Sequence, residues 1–249
     1  GLRSEHFLPE ALGGRAQLLG SSCADCEKIT SYLDGYLARR TYYDFRLANN
    51  VRGKPRKRAP VTHLRVRLGY REAEHETELP IESRPYFTAL PVLEPPGLLA
   101  GINRTAPIQA SQAHAFHYIP ADIRSRLGLT DDEPLSFRQA GDINVAAFSR
   151  GIAKIGYGAA VSHLGYGAFD PLEIQAVILG HCHAIANYVG GRGLEESQPD
   201  PPGRRHWINI EEQVVDGAIL IVAVVRIFAD TGTETVGMPI YEVVVGQRL

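Results

Sequence analysis

The chain has 249 residues, 44% of them hydrophobic, three cysteines and a formal net charge of −2. It is long enough to bury a sizeable core, in one large domain or two smaller ones. A disulfide scaffold is excluded by the cysteine count, and a bilayer-spanning segment by the lack of any apolar run near the roughly 20 residues required. With no charged-then-apolar leader either, the chain reads as a soluble protein of the cytoplasm with no membrane partner.

Residues 1–50 read as one small unit built around a dense cluster of motifs. A strand is predicted over residues 5–12, entering a Gly13-Gly14 turn. After Cys26, the spacing of Ile29, Leu33, Tyr36 and Leu37 predicts a helix, with Gly35 costing it about 1 kcal/mol relative to Ala. Residues 51–61, VRGKPRKRAPV, form a basic linker of Gly and Pro. Between Arg39 and Arg71 lie eleven of the chain's 26 basic residues against Asp44 alone, so the remainder is acidic and the block points to an anionic partner.

From residue 62 onward the pattern is α+β. Strands are predicted over 62–70, 76–81 and 86–93, a loop over 93–107 and a short helix over 121–127. The best helix runs from Asp142, its expected N-cap, to Leu164, with Val145, Phe148, Ile152, Ile155 and Ala159 on one face. Gly151, Gly156 and Gly158 in that helix predict close packing against another element. A further helix or strand is expected over 173–179 and a flexible loop over 190–205. Strands over 206–210, 218–228 and 238–245 end the chain.

The chemistry concentrates in SEHFLPEALGGRAQLLGSSCADCEK, residues 4–28. It joins a carboxylate–imidazole pair, Glu5 and His6, to a glycine turn and a CxxC pair, Cys23 and Cys26. A carboxylate can hold a divalent cation against a phosphate oxygen, and an imidazole titrating near neutrality can take a proton from water. Adjacent strand residues point to opposite faces, so the two serve one site only where the backbone twists. The cysteine spacing fits a metal better than a disulfide.

These residues resemble the HNH endonuclease motif, in the variant with E-H-x-x-P, a Gly pair and a Cys pair before the helix. The likeness covers roughly residues 3–40. The later segments FSRGIAKIGYGAAVSHLG, YVGG and PIYEVVVG resemble the C-terminal region of uncharacterised bacterial proteins of the HNH type. The resemblance implies a small zinc-held ββα unit over residues 1–50, joined by the basic linker 51–61 to a mixed α+β domain over 62–249. It implies a metal-dependent hydrolase cutting phosphodiester bonds in DNA, with His6 as general base. Glu5 would ligate the catalytic Mg²⁺ or Mn²⁺, and Glu27, where the family has its last Asn or His, would either join it as an oxygen ligand or be a surface residue near the helix N-terminus. Cys23 and Cys26 would be half of a four-cysteine structural zinc site. The other half is expected upstream of Gly1, which together with the single methionine, Met238, predicts a longer natural chain. Arg39, Arg40, Arg52, Lys54, Arg56, Lys57 and Arg58 would grip DNA phosphates.

The family's middle asparagine is missing between the Gly and Cys pairs, where only Gln17 stands as a side-chain amide. The alternative is therefore a non-catalytic, zinc-dependent nucleic-acid-binding protein with a degenerate HNH fold. A third reading makes the C-terminal domain the working part. His181-Cys182-His183 is read as no shared metal cluster, since adjacent residues rarely ligate one ion. His114 and His117 fall in a region read as loop. Lys154, inside an apolar helix, is expected to snorkel or pair with a carboxylate, and Trp207 to pack in the C-terminal core.

Overall fold

A computed structural model of the chain describes residues 1–49, 51, 63–70, 73–80, 86–118, 123, 125, 130, 136–137, 143–193, 203, 205–231 and 237–249. The first of these run strand, strand, helix. Strand β1 (Arg3–His6) pairs antiparallel with β2 (Gln17–Ser22), and α1 (Ala24–Tyr36) follows at once. The strand expected over 5–12 stops at His6. Pro9 instead opens a 3-10 turn, Glu10–Leu12, which Gly13 closes with a φ of 97° that favours glycine. Cys23 caps α1, its Sγ accepting from the backbone N–H of Cys26 at 3.4 Å. Leu33 and Leu37 are fully buried, as their spacing predicts.

Helix α1 runs into a π turn, Leu37–Thr41, where the Tyr42 N–H donates to the Leu37 carbonyl at 2.8 Å. The wide turn keeps Leu37, Ala38 and Thr41 inside and leaves Arg39 and Arg40 exposed. Helix α2 (Tyr43–Ala48) follows. Strand β3 (His63–Tyr70) pairs with β4 (Ala73–Pro80), and β5 (Tyr86–Val92) pairs across α3 (Gly97–Ala100) with β6 (Gln112–Tyr118); β7 (Ser136–Phe137) lies on the free side of β3. His114 and His117 are thus on a strand rather than a loop, three residues apart and on opposite faces.

Helix α4 (Val145–Leu164) is capped by Asn144, whose side chain accepts from the Ala147 N–H at 2.9 Å, rather than by Asp142, which lies outside the described residues. The expectation of one apolar face is too narrow. Most of the circumference is buried, Ser149 and Lys154 included, which marks an interior helix rather than a surface one. One side packs on an antiparallel sheet, β10 (His206–Val215), β11 (Ala218–Ile227) and β12 (Tyr241–Arg248). The short strands β8 (Phe169–Asp170) and β9 (Val189–Gly191) both pair with β12. Helices α5 (Ile174–Leu179) and α6 (Ile185–Tyr188) complete the C-terminal half.

Two strand boundaries differ from expectation for local reasons. Strand β10 extends to Val215 because Asp216 and Gly217, with φ of 49° and 82°, form a two-residue hairpin turn of the Asp-Gly kind. Strand β12 begins at Tyr241 rather than 238, after Pro239, which has no N–H to give a ladder. Of the helix expected over 121–127, only Ile123 and Ser125 are described, both helical; the loop expected over 190–205 and the linker 51–61 lie mostly outside the described residues.

The other side of α4 meets the N-terminal segment, and glycine permits the approach. A Cβ on Gly156 would stand 3.0 Å from the Cβ atoms of Ala223 and Val243, and one on Gly158 only 2.4 Å from the Cβ of Phe7. A single apolar cluster joins Leu12, Leu33, Tyr42 and Phe45 to Phe148, Phe228 and Tyr241. The described residues on both sides of 51–61 therefore share one core, in a mixed α+β fold. Gly158→Ala is expected to destabilise by about 1–3 kcal/mol, the usual cost of overpacking, and to push Phe7 and the adjoining end of β1 outward. Thermal unfolding of this variant at wild-type temperature would contradict the contact.

Candidate functional site

Three elements converge on the end of β1. Helix α4 contributes Lys154, which is 6% exposed. Its Nζ donates to the His6 carbonyl at 2.5 Å and to the two Asp34 carboxylate oxygens at 2.9 and 3.0 Å, and stands 3.6 Å from Glu5 Oε1. Asp34 comes from the third turn of α1. Its carboxyl is pushed above the usual carboxylate range, chiefly by burial, against the opposing pull of Lys154.

The pairing of β1 with β2 shifts register between Arg3 and Glu5, which breaks the strict alternation of faces at the strand end. Glu5 lies close enough to Asp34 to raise its carboxyl further. Glu5 and His6 meet around Lys154, the one through its carboxylate and the other through its backbone carbonyl. The His6 Nε2 lies 3.0 Å from the side-chain nitrogen of Gln17. With that amide donating, Nε2 is the acceptor and the proton of the neutral ring sits on Nδ1.

The remaining expected site residues lie close in sequence but do other things. Glu27 forms an ion pair with Arg3 across β1 and α1. Cys23 is exposed and Cys26 half-buried, both as free thiols at the start of α1. Hydrogen bonds from Cys26 pull the Cys23 thiol below its ordinary value, whereas Cys26 is raised, first by its side-chain contact with Cys23 and then by burial. Arg39 donates from Nε to the Gly35 carbonyl at 3.4 Å and, like Arg40, is exposed. Arg52, Lys54, Arg56, Lys57 and Arg58 lie outside the described residues.

Among the described residues, no group of three or more His, Cys, Asp or Glu side chains could hold a metal ion. The donors expected for the catalytic divalent ion do not assemble: Glu5 faces the Lys154 ammonium and Glu27 faces Arg3. No catalytic step through a metal is therefore derived. For structural zinc, Cys23 and Cys26 offer two thiols of the four ligands that such sites use.

Elsewhere, Cys182 donates to Glu173 Oε2 at 3.4 Å, and burial raises its thiol, so it behaves as a packed side chain. Lys154 pairs with a carboxylate as expected, and Trp207 packs against the core. The residues missed from sequence are Asp34, as the partner of Lys154, and Gln17, as the partner of His6. A lone charge in an apolar helix signalled that Lys154 needed a partner, but nothing local named one 120 residues away.

No protein-family model, curated protein or solved structure matches the chain.

Proposed function

We propose that the chain is a phosphodiester hydrolase of the HNH type acting on DNA, with its centre at the end of β1. The observation that carries the reading is the placement of Glu5 and His6 together at a strand end, in a strand–strand–helix order with the Cys pair opening the helix. In this reading the Gln17 amide gives way at His6 Nε2, the unprotonated nitrogen, which then takes a proton from the attacking water, while the Lys154-held carbonyl fixes the backbone at His6. Exposed Arg39 and Arg40, with the basic residues of 52–58, bind the phosphate backbone, so affinity for DNA falls with added salt. Cys23 and Cys26 serve as two ligands of a structural zinc.

The test is cleavage of supercoiled plasmid by the full chain, with and without divalent metal. His6→Ala is expected to slow nicking by about 10²–10⁴-fold, the usual contribution of a general base. Equal nicking by wild type and His6→Ala, or none by wild type in any metal, overturns the assignment. One observation favours the second reading, a nucleic-acid-binding protein with a degenerate HNH fold: Glu5 and Glu27 are both committed to basic side chains. Salt-sensitive DNA binding that His6→Ala leaves unchanged, with no cleaved product, would support it.

A further inference from the structure

We propose that the Lys154 ammonium is the resident cation of the Glu5–Asp34 pair, a positioning residue occupying the place that a hard divalent ion would otherwise take. The proposal rests on the hydrolase reading only for its activity arm. Oxygens from β1 and α1 face one point: the His6 carbonyl, both Asp34 oxygens and, further out, Glu5 Oε1. Two carboxylates and a carbonyl are the donor chemistry of Mg²⁺, Mn²⁺ or Ca²⁺, which draw oxygens to about 2.0–2.6 Å. Here a buried ammonium holds the same groups at 2.5–3.6 Å. Its three N–H donors match that geometry.

While the ammonium stays, a divalent ion is kept out both by occupancy and by like charge. Its removal leaves two carboxylates without their counter-charge around a space one ammonium wide. Lys154 reaches the centre from α4, an element far outside the strand–strand–helix segment, so the position of His6 depends on the second half of the chain.

Mn²⁺ binding to the purified full chain, followed by calorimetry and thermal shift, tests this directly. Wild type and Glu5→Gln are expected to bind Mn²⁺ alike. Lys154→Ala is expected to bind it at least about tenfold more tightly than wild type, and Asp34→Asn in the same chain to remove the gain. Wild-type Mn²⁺ affinity that drops about tenfold or more in Glu5→Gln overturns the proposal, as does an unchanged affinity in folded Lys154→Ala. Should Lys154→Ala fail to fold, the wild-type and Glu5→Gln pair decides alone. Plasmid nicking by wild type is expected to persist in EDTA. Nicking that requires Mg²⁺ or Mn²⁺ bound through Glu5 overturns the proposal, while absence of nicking in every condition overturns the hydrolase reading and leaves the Mn²⁺ comparison to decide the cation.

Discussion

Phe45→Ala is expected to lower stability by about 3–5 kcal/mol, the range for removing a fully buried aromatic ring, and the midpoint of thermal unfolding by roughly 6–20 °C. Phe45 is 0% exposed. Its ring stacks on Phe228 at 5.8 Å and meets Phe116 and Tyr86 edge-on at 5.3 and 5.9 Å. Phe228 follows the last residue of β11, so the loss is felt across the chain and not only in residues 1–50. The single tryptophan, Trp207 on β10, gives the readout. Its fluorescence midpoint is expected to fall with the variant, in one transition. A Trp207 transition unmoved by Phe45→Ala would mean that the N-terminal segment folds on its own and that the shared core carries no cooperativity. The same packing argues against a free-standing C-terminal domain: a chain beginning near Val61 would bare the face of α4 that Leu33, Leu37 and Phe7 cover.

The second large effect is a loss of stability in mild acid through His206. Its Nε2 lies 2.8 Å from the Leu12 carbonyl, and its Nδ1 accepts the Phe228 N–H at 3.3 Å. The ring is therefore neutral with its proton on Nε2, tying the 3-10 turn after β1 to the end of β11. Burial, reinforced by Arg205 and opposed by the Leu12 hydrogen bond, pushes its pKa down to about 4 from an ordinary 6.5. Below pH 6.5 the unfolded chain takes up a proton that the folded chain refuses. Stability from this group is thus fully present above about 6.5, declines as pH falls, and stops declining near 4. At about 1.4 kcal/mol per pH unit the loss across that window is about 3 kcal/mol. His206→Gln, measured by urea unfolding at pH 7, 6, 5 and 4.5, is expected to be the less stable protein at pH 7 and to show a shallower decline. A wild-type minus variant difference that stays constant over this range would remove His206 as the cause.

Much of the local architecture was legible because it is decided within a few residues. The helix leaving the Cys pair, the reversal at Gly13, the burial of Leu33 and Leu37, and the β-branched run of β11 all follow from short-range rules. The Asp216-Gly217 turn was equally readable, and would have given the full length of β10. The glycines of α4 announced close packing, although not which neighbours would approach. Asn144 took the cap from Asp142 because the first helical N–H groups lie within its reach, a shift of two residues that composition does not resolve.

The sequence by itself determined the α+β character, the reversal at Gly13 and the helix leaving the Cys pair, but it placed Glu5 and His6 at the start of one strand over 5–12 rather than at the end of β1 with β2 following. Only the tertiary structure decided what surrounds that pair. Asp34 and Lys154 are 120 residues apart and Leu12 and His206 are 194 apart, and each pair meets because α4 and the sheet β10–β12 close over the N-terminal segment. A carboxylate in sequence carries no sign of whether a cation from a distant helix will reach it. Burial of Lys154 beneath β1 turned Glu5 from a free ligand into half of an ion pair, because a buried ammonium is stable only where oxygens surround it.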